Sequence, residues 1–206
     1  GLAPAFVAFA LPVLLRREGL SLEATGLTTL LFWPAALRFL IGPLVDRLQS
    51  GPGRRWLVME LAAALALLTA LLLLVQPASP SPGLFGLLAM LVLGSVVLDV
   101  AVGGLTLRLV APEERRLASA LQYGGYYAGT ILAGGAFLTV EARAGWGPAV
   151  LMLTSLACLG ALAAVMLRRE APRFGHVAPG RWRDFLPTRS LLPVLLVSLL
   201  IDLPQN

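Results

Sequence analysis

The sequence predicts an all-α integral membrane protein, and three observations predict it. Of the 206 residues, 58% are hydrophobic and 13% charged, with mean hydropathy +0.84, whereas soluble domains carry about 25% charged residues. Apolar runs of about 20 residues, enough to cross a bilayer, recur along the chain. The segments between them alternate between arginine-rich and arginine-poor. Helices follow because lipid cannot satisfy open backbone groups, and because the runs exceed the roughly 10 residues of a barrel strand. Their Ala and Leu content favours helix as well.

In chain order the spans are expected at 1–15, 24–45, 56–76, 84–107, 117–140 and 149–167, with a seventh starting near 191. The first run is short for a complete span and begins without Met, so the chain reads as a piece of a longer protein. The expected organisation is a six-span transmembrane half (1–167), a central loop (168–190) and the start of helix 7 of a second half (191–206).

Two connections, 77–83 and 141–148, carry one arginine between them, Arg143. The others, 46–55, 111–116 and 168–189, hold most of the arginines. Positive charge collects on the cytoplasmic side, so those three loops face the cytoplasm. Arg16 and Arg17 are the one local exception. The pI near 10.6 is explained by this placement, without a nucleic-acid partner. Cys158 stands alone in an apolar run, which excludes a disulfide framework or a Cys metal site. No cofactor and no metal are expected.

Six spans, a long basic loop and a new span form the layout of half a twelve-helix secondary transporter, in which each half is an inverted pair of three-helix repeats. Charges within spans mark the functional positions, because a charge at mid-bilayer costs about 2.5–3.5 kcal/mol on insertion scales. Arg38 precedes Asp46 by eight residues and Asp99 precedes Leu107 by eight, so each lies about 12 Å above the cytoplasmic end of its span. Spans 2 and 4 run in the same direction. Arg38 and Asp99 are therefore expected to pair on the wall of a central cavity. There Arg38 can hold an anionic group of a solute and Asp99 can carry the coupling proton; a static ion pair between helices, or Arg38 snorkelling to the interface, is the alternative. Asp202 in span 7 is the second acidic candidate. Gln122, Tyr123, Tyr126 and Tyr127 in span 5 offer polar and stacking contacts, and Gly125 with Gly129 forms a G-x-x-x-G suited to close packing.

The stretch "GPLVDRLQSGPGRR" resembles the signature of the major facilitator superfamily between helices 2 and 3, a G-x-x-x-D-R-x-G-R-R pattern. Gly42, Asp46, Arg47, Gly53, Arg54 and Arg55 match it, with Leu48 to Pro52 inserted. The resemblance implies a cytoplasmic gating turn. "RFLIGPLVDR" and the Pro112–Glu113–Glu114–Arg115 turn are similar to AmpG-like permeases. "LDVAVGGLTLRLV" and "LQYGGYY" are similar to RhtX/FptX-type siderophore permeases, although Gly103 replaces the second acid of that helix-4 pattern and Leu199 the lysine expected before Asp202. The resemblance implies a multi-pass permease of the bacterial inner membrane. It would import a siderophore or muropeptide-like solute, driven by a proton gradient, with the lipid bilayer, the small-molecule solute and its own C-terminal half as partners. A membrane-embedded enzyme, such as a lipid head-group transferase, and a non-transporting interaction or sensor domain are the competing readings. The intramembrane acids are scattered singly on different spans, which disfavours the enzyme.

Overall fold

The computed structural model describes residues 1–36, 38–49, 57–75 and 81–170. Regular structure among them is entirely helical. Gly53, Arg54, Arg55, Trp56, nearly all of the expected central loop and the start of span 7 with Asp202 lie outside the described residues.

Span 1 occupies 2–17 as an α-turn (Leu2–Ala5), a π-turn (Phe6–Ala10) and a helix (Leu11–Arg17). Pro12 accounts for the π-turn. Its nitrogen cannot donate to the Ala8 carbonyl and its ring crowds that oxygen, so the preceding turn widens and the Leu11 N–H reaches back to the Phe6 carbonyl. Span 2 is broken into Leu22–Gly26, a 3-10 stretch Leu27–Phe32, Trp33–Ala36 and Arg38–Gln49. Its two longer pieces, Thr28–Ala35 and Leu40–Leu48, meet at 59°. Pro43, inside the lower piece, cannot donate to the carbonyl four residues earlier, at the break, and its ring crowds that oxygen, an ordinary cause of such a bend. The bend opens an apolar groove of about 330 Å³ beside Trp33, Ile41 and Leu93.

Span 3 is Leu57–Leu71 closed by a 3-10 turn, Leu72–Leu74. Span 4, Pro82–Leu109, starts at Ser81, whose hydroxyl oxygen accepts the Leu84 N–H at 3.2 Å, as an N-cap should. Span 5 runs from Arg115–Ile131 through a second π-turn, Leu132–Ala136, into Phe137–Ala144. Span 6 is Trp146–Glu170.

The helices are longer than the apolar runs. Asp46 and Arg47 belong to the last turn of Arg38–Gln49 rather than to a loop. The expected loop 141–148 shrinks to Gly145, whose φ of 87° suits glycine alone and turns the chain directly from span 5 into span 6. Arginines and glutamates end these helices because long charged side chains reach out of the hydrocarbon while the backbone keeps its helical bonds.

Leu57–Leu74, Pro82–Thr106 and Trp146–Met166 are long and apolar enough to cross a membrane, and the bent pair in span 2 makes a fourth. Span 1 is short of that length among the described residues. Span 5 is continuous but too polar along its first half. These two less apolar elements pack on each other. Phe6, Val7, Leu11 and Leu15 of span 1 are fully enclosed, and the two π-turns touch: a Cβ on Gly134 would stand 3.3 Å from Cβ of Phe9. Span 2 packs on span 4, span 3 on span 6, and span 3 on span 4.

At the Gly145 end of the bundle Phe6, Phe137 and Trp146 form an aromatic cluster with centroids 5.0–6.2 Å apart, two of the three pairs edge-to-face. The Trp146 indole N–H donates to the Leu72 carbonyl at 3.1 Å. Trp146, at the start of span 6, thus ties spans 1, 3, 5 and 6 together. Lipid tails are as apolar as leucine, so this core is held by close packing rather than by escape from water. The outer surfaces of spans 3, 4 and 6 are correspondingly apolar, with Leu67, Met90, Leu151, Leu159 and Met166 exposed. Hydroxyls on the spans are satisfied within their own helix: Thr69, Thr106, Thr139 and Thr154 each donate to the carbonyl four residues earlier, the pattern lipid demands.

Phe137→Ala is expected to remove about 3 kcal/mol or more by leaving a cavity in this cluster, seen as a clear drop in the thermal unfolding midpoint in detergent. Leu159→Ala, on the exposed face of span 6, is expected to leave that midpoint nearly unchanged.

Candidate functional site

Arg38 starts the lower helix of span 2, directly below the bend, and Asp99 lies on span 4. The two elements are packed together, and Arg38 Nη2 donates to Asp99 Oδ2 at 2.7 Å, a short, charge-assisted bond. The pair is not sealed. The Arg38 side chain is 55% and that of Asp99 43% exposed. A buried pair with all its donors and acceptors consumed can only hold helices together. A half-open pair can exchange partners.

A Cβ on Gly1 would stand 3.4 Å from Cδ2 of Tyr126. Tyr126 and Tyr127 stack edge-to-face at 5.8 Å. Tyr123, Tyr126, Tyr127 and Gln122 are all exposed. The two glycines of the G-x-x-x-G differ: Gly129 is buried with the Gly1 and Leu2 backbone 3.5–3.7 Å from its would-be Cβ, whereas Gly125 faces open space. One glycine packs a helix and the other does not.

The remaining sequence candidates lie apart from the pair. Gly42, Asp46 and Arg47 occupy the lower half of Arg38–Gln49, with open space around the α-carbon of Gly42. Glu113 and Glu114 form an exposed 3-10 turn, Pro112–Glu114, and Arg115 opens span 5.

Sequence reasoning missed a second ion pair. Arg17 Nη1 contacts Glu141 Oε2 at 2.8 Å, joining the outer ends of spans 1 and 5, while Arg16 donates to the Leu20 carbonyl at 3.0 Å. Their partners explain how two arginines are tolerated on the arginine-poor side. The pair is largely exposed, and such bridges contribute about 0–1 kcal/mol. No spacing in the sequence announces it, because the partners are 124 residues apart.

A polytopic helical bundle with a half-open ion pair within its spans defines a class: multi-pass membrane proteins whose intramembrane charges face a pathway. Residues 1–202 match the family model of the Major Facilitator Superfamily. The chain belongs to that superfamily, a family of transporters. No solved structure matches it. Nothing in the match distinguishes the AmpG-like or siderophore-permease branch.

Replacing Asp99 by Leu strands Arg38 and is expected to destabilise the protein by about 2.5–3.5 kcal/mol, the insertion penalty of one charge, read as lost membrane-inserted yield. Combining it with Arg38→Leu is expected to restore the yield, because no uncompensated charge remains. A double variant no better than the single one would contradict the pairing.

Proposed function

We propose that the chain is the N-terminal half of a twelve-helix, proton-coupled secondary transporter of the bacterial inner membrane. The observation that carries this reading is the 2.7 Å contact between Arg38 and Asp99 on neighbouring spans at one depth, with both side chains open to the outside of the bundle. Two further observations support it. Span 1 pairs with 5, 2 with 4 and 3 with 6, a pattern shared by inverted three-helix repeats, while the span 3–span 4 contact falls outside it. The match to gating residues Gly42, Asp46 and Arg47, continued by Gly53, Arg54 and Arg55, supplies a cytoplasmic latch between halves.

Coupling follows from exchange at the ion pair. With Asp99 ionised, Arg38 is occupied by the carboxylate and an anionic solute competes poorly. Protonation of Asp99 removes that competitor and frees the guanidinium fork for the solute. Proton and solute then favour each other's binding, and the coupling is reciprocal. Alternating access carries both across together. The resemblance to siderophore and muropeptide permeases supplies the solute class, and Asp202 is the second acid on the pathway.

Uptake by the full-length protein in proteoliposomes, with the outside made acidic, tests this directly. Ferric siderophores and anhydromuropeptides are the solutes to compare. One of them is expected to accumulate, and to bind more tightly as pH falls. Asp99→Asn is expected to abolish gradient-driven accumulation while solute counterflow continues, because a fixed neutral side chain leaves Arg38 permanently available. Uptake of neither solute would remove the substrate assignment, and undiminished accumulation by Asp99→Asn would remove the coupling role.

A further inference from the structure

The bend in span 2 leaves a groove of about 330 Å³ between spans 2 and 4. Its lining is apolar apart from the Trp33 indole N–H: Trp33, Pro34, Leu40, Ile41 and Leu44 come from span 2, and Leu93 from span 4. The groove lies across the seam from the ion pair. At 3.6 residues per turn, Leu40, Ile41 and Leu44 average about 110° around span 2 from Arg38. Leu93 lies about 120° around span 4 from Asp99, in the opposite sense. Spans 2 and 4 run in the same direction and pack together, so these opposite rotations put the charges on one side of the seam and the groove on the other. The charged side needs polar surroundings. The groove side is continuous with the lipid-facing surface of span 4, because Leu93 is one turn from Met90 and both are exposed.

The cytoplasmic end of the groove carries a cation. Arg47, in the last turn of Arg38–Gln49, is exposed. It follows Leu44 by three residues, as Leu44 follows Leu40 by four, so the three share a face of the helix. Leu44 and Leu40 lie about 4.5 and 10 Å along the helix from Arg47 toward the bilayer centre, within the roughly 15 Å that the chains of one leaflet occupy. Trp33, past the bend, stands deeper still. Arg47 also interacts within the chain, but a guanidinium has five N–H donors, more than one partner consumes. We propose that this groove holds an anionic phospholipid of the cytoplasmic leaflet, with an acyl chain along Leu44, Leu40 and Trp33 and the phosphate on Arg47. The apolar lining selects hydrocarbon, and the cation at its interfacial end selects a negatively charged headgroup. The site needs the bilayer and the side of the seam, not a transported solute, so it stands or falls apart from the transport reading.

Trp33 reports on the groove. The full-length protein is placed in phosphatidylcholine vesicles containing a minor share of phosphatidylglycerol brominated on its acyl chains, or of phosphatidylcholine brominated in the same way. Bromine quenches indole fluorescence on contact, and subtracting the signal of Trp33→Phe isolates Trp33. Both lipids are expected to quench Trp33 in the wild type, with the phosphatidylglycerol bound about fivefold more tightly, the order of one arginine at an anionic surface. Arg47→Gln is expected to bring that ratio to about one while quenching persists. No quenching by either lipid would overturn the proposal and indicate that protein, such as a second six-span half, covers the groove. Equal binding of the two lipids by wild type would overturn the headgroup contact, and a ratio unchanged in Arg47→Gln would overturn its assignment to Arg47. The wild-type comparison decides the matter even if Arg47→Gln does not fold.

Discussion

A charge inside a bilayer needs a partner or water, and in this protein Arg38 and Asp99 have each other. Each alone would oppose insertion by several kcal/mol; together, 2.7 Å apart, they permit spans 2 and 4 to carry polar groups at mid-depth. Their mutual contact holds the lower helix of span 2 against span 4 just below the bend. Their exposure leaves the site able to respond when either partner changes its protonation or its ligand. The geometry of the bundle around them is consistent with one requirement, that two helices of opposite charge meet at one level while facing open space.

The opposite end of the bundle is built differently. Spans 1 and 5, the least membrane-like in composition, are locked by two touching π-turns, the Phe6–Phe137–Trp146 cluster and the Arg17–Glu141 bridge. Dense aromatic packing dominates there, and the exposed bridge adds little. A rigid outer end and an open mid-depth charge site are complementary properties in a transporter, which must hold its half together as a body while exposing a binding surface.

Much of this was legible in the sequence. Apolar runs located the spans because the bilayer fixes their length, and the positions of Arg38 and Asp99 predicted their meeting because parallel helices convert residue counts into depth. The ends of the helices were less legible: hydropathy falls at Asp46 and Glu141, whereas backbone hydrogen bonding does not. The break in span 2 had a visible cause in Pro43, and the π-turn in span 1 had one in Pro12, although neither proline dictates which distortion relieves it. The π-turn in span 5 left only the Gly134–Gly135 pair as a trace. Arg17–Glu141 and the inward role of Trp146 were illegible, because they depend on which spans become neighbours, and periodicity carries no information about that. The gating residues Gly53 to Arg55 and Asp202 rest on resemblance alone.

The central claim is that Asp99 changes protonation as the solute engages Arg38. Infrared difference spectroscopy of the reconstituted full-length protein observes that step directly, through the carbonyl band of a protonated carboxyl group. Solute addition to wild type is expected to produce a positive carboxyl band that Asp99→Asn lacks. Identical difference spectra for wild type and Asp99→Asn would contradict the account and leave Arg38–Asp99 as a structural tie between helices.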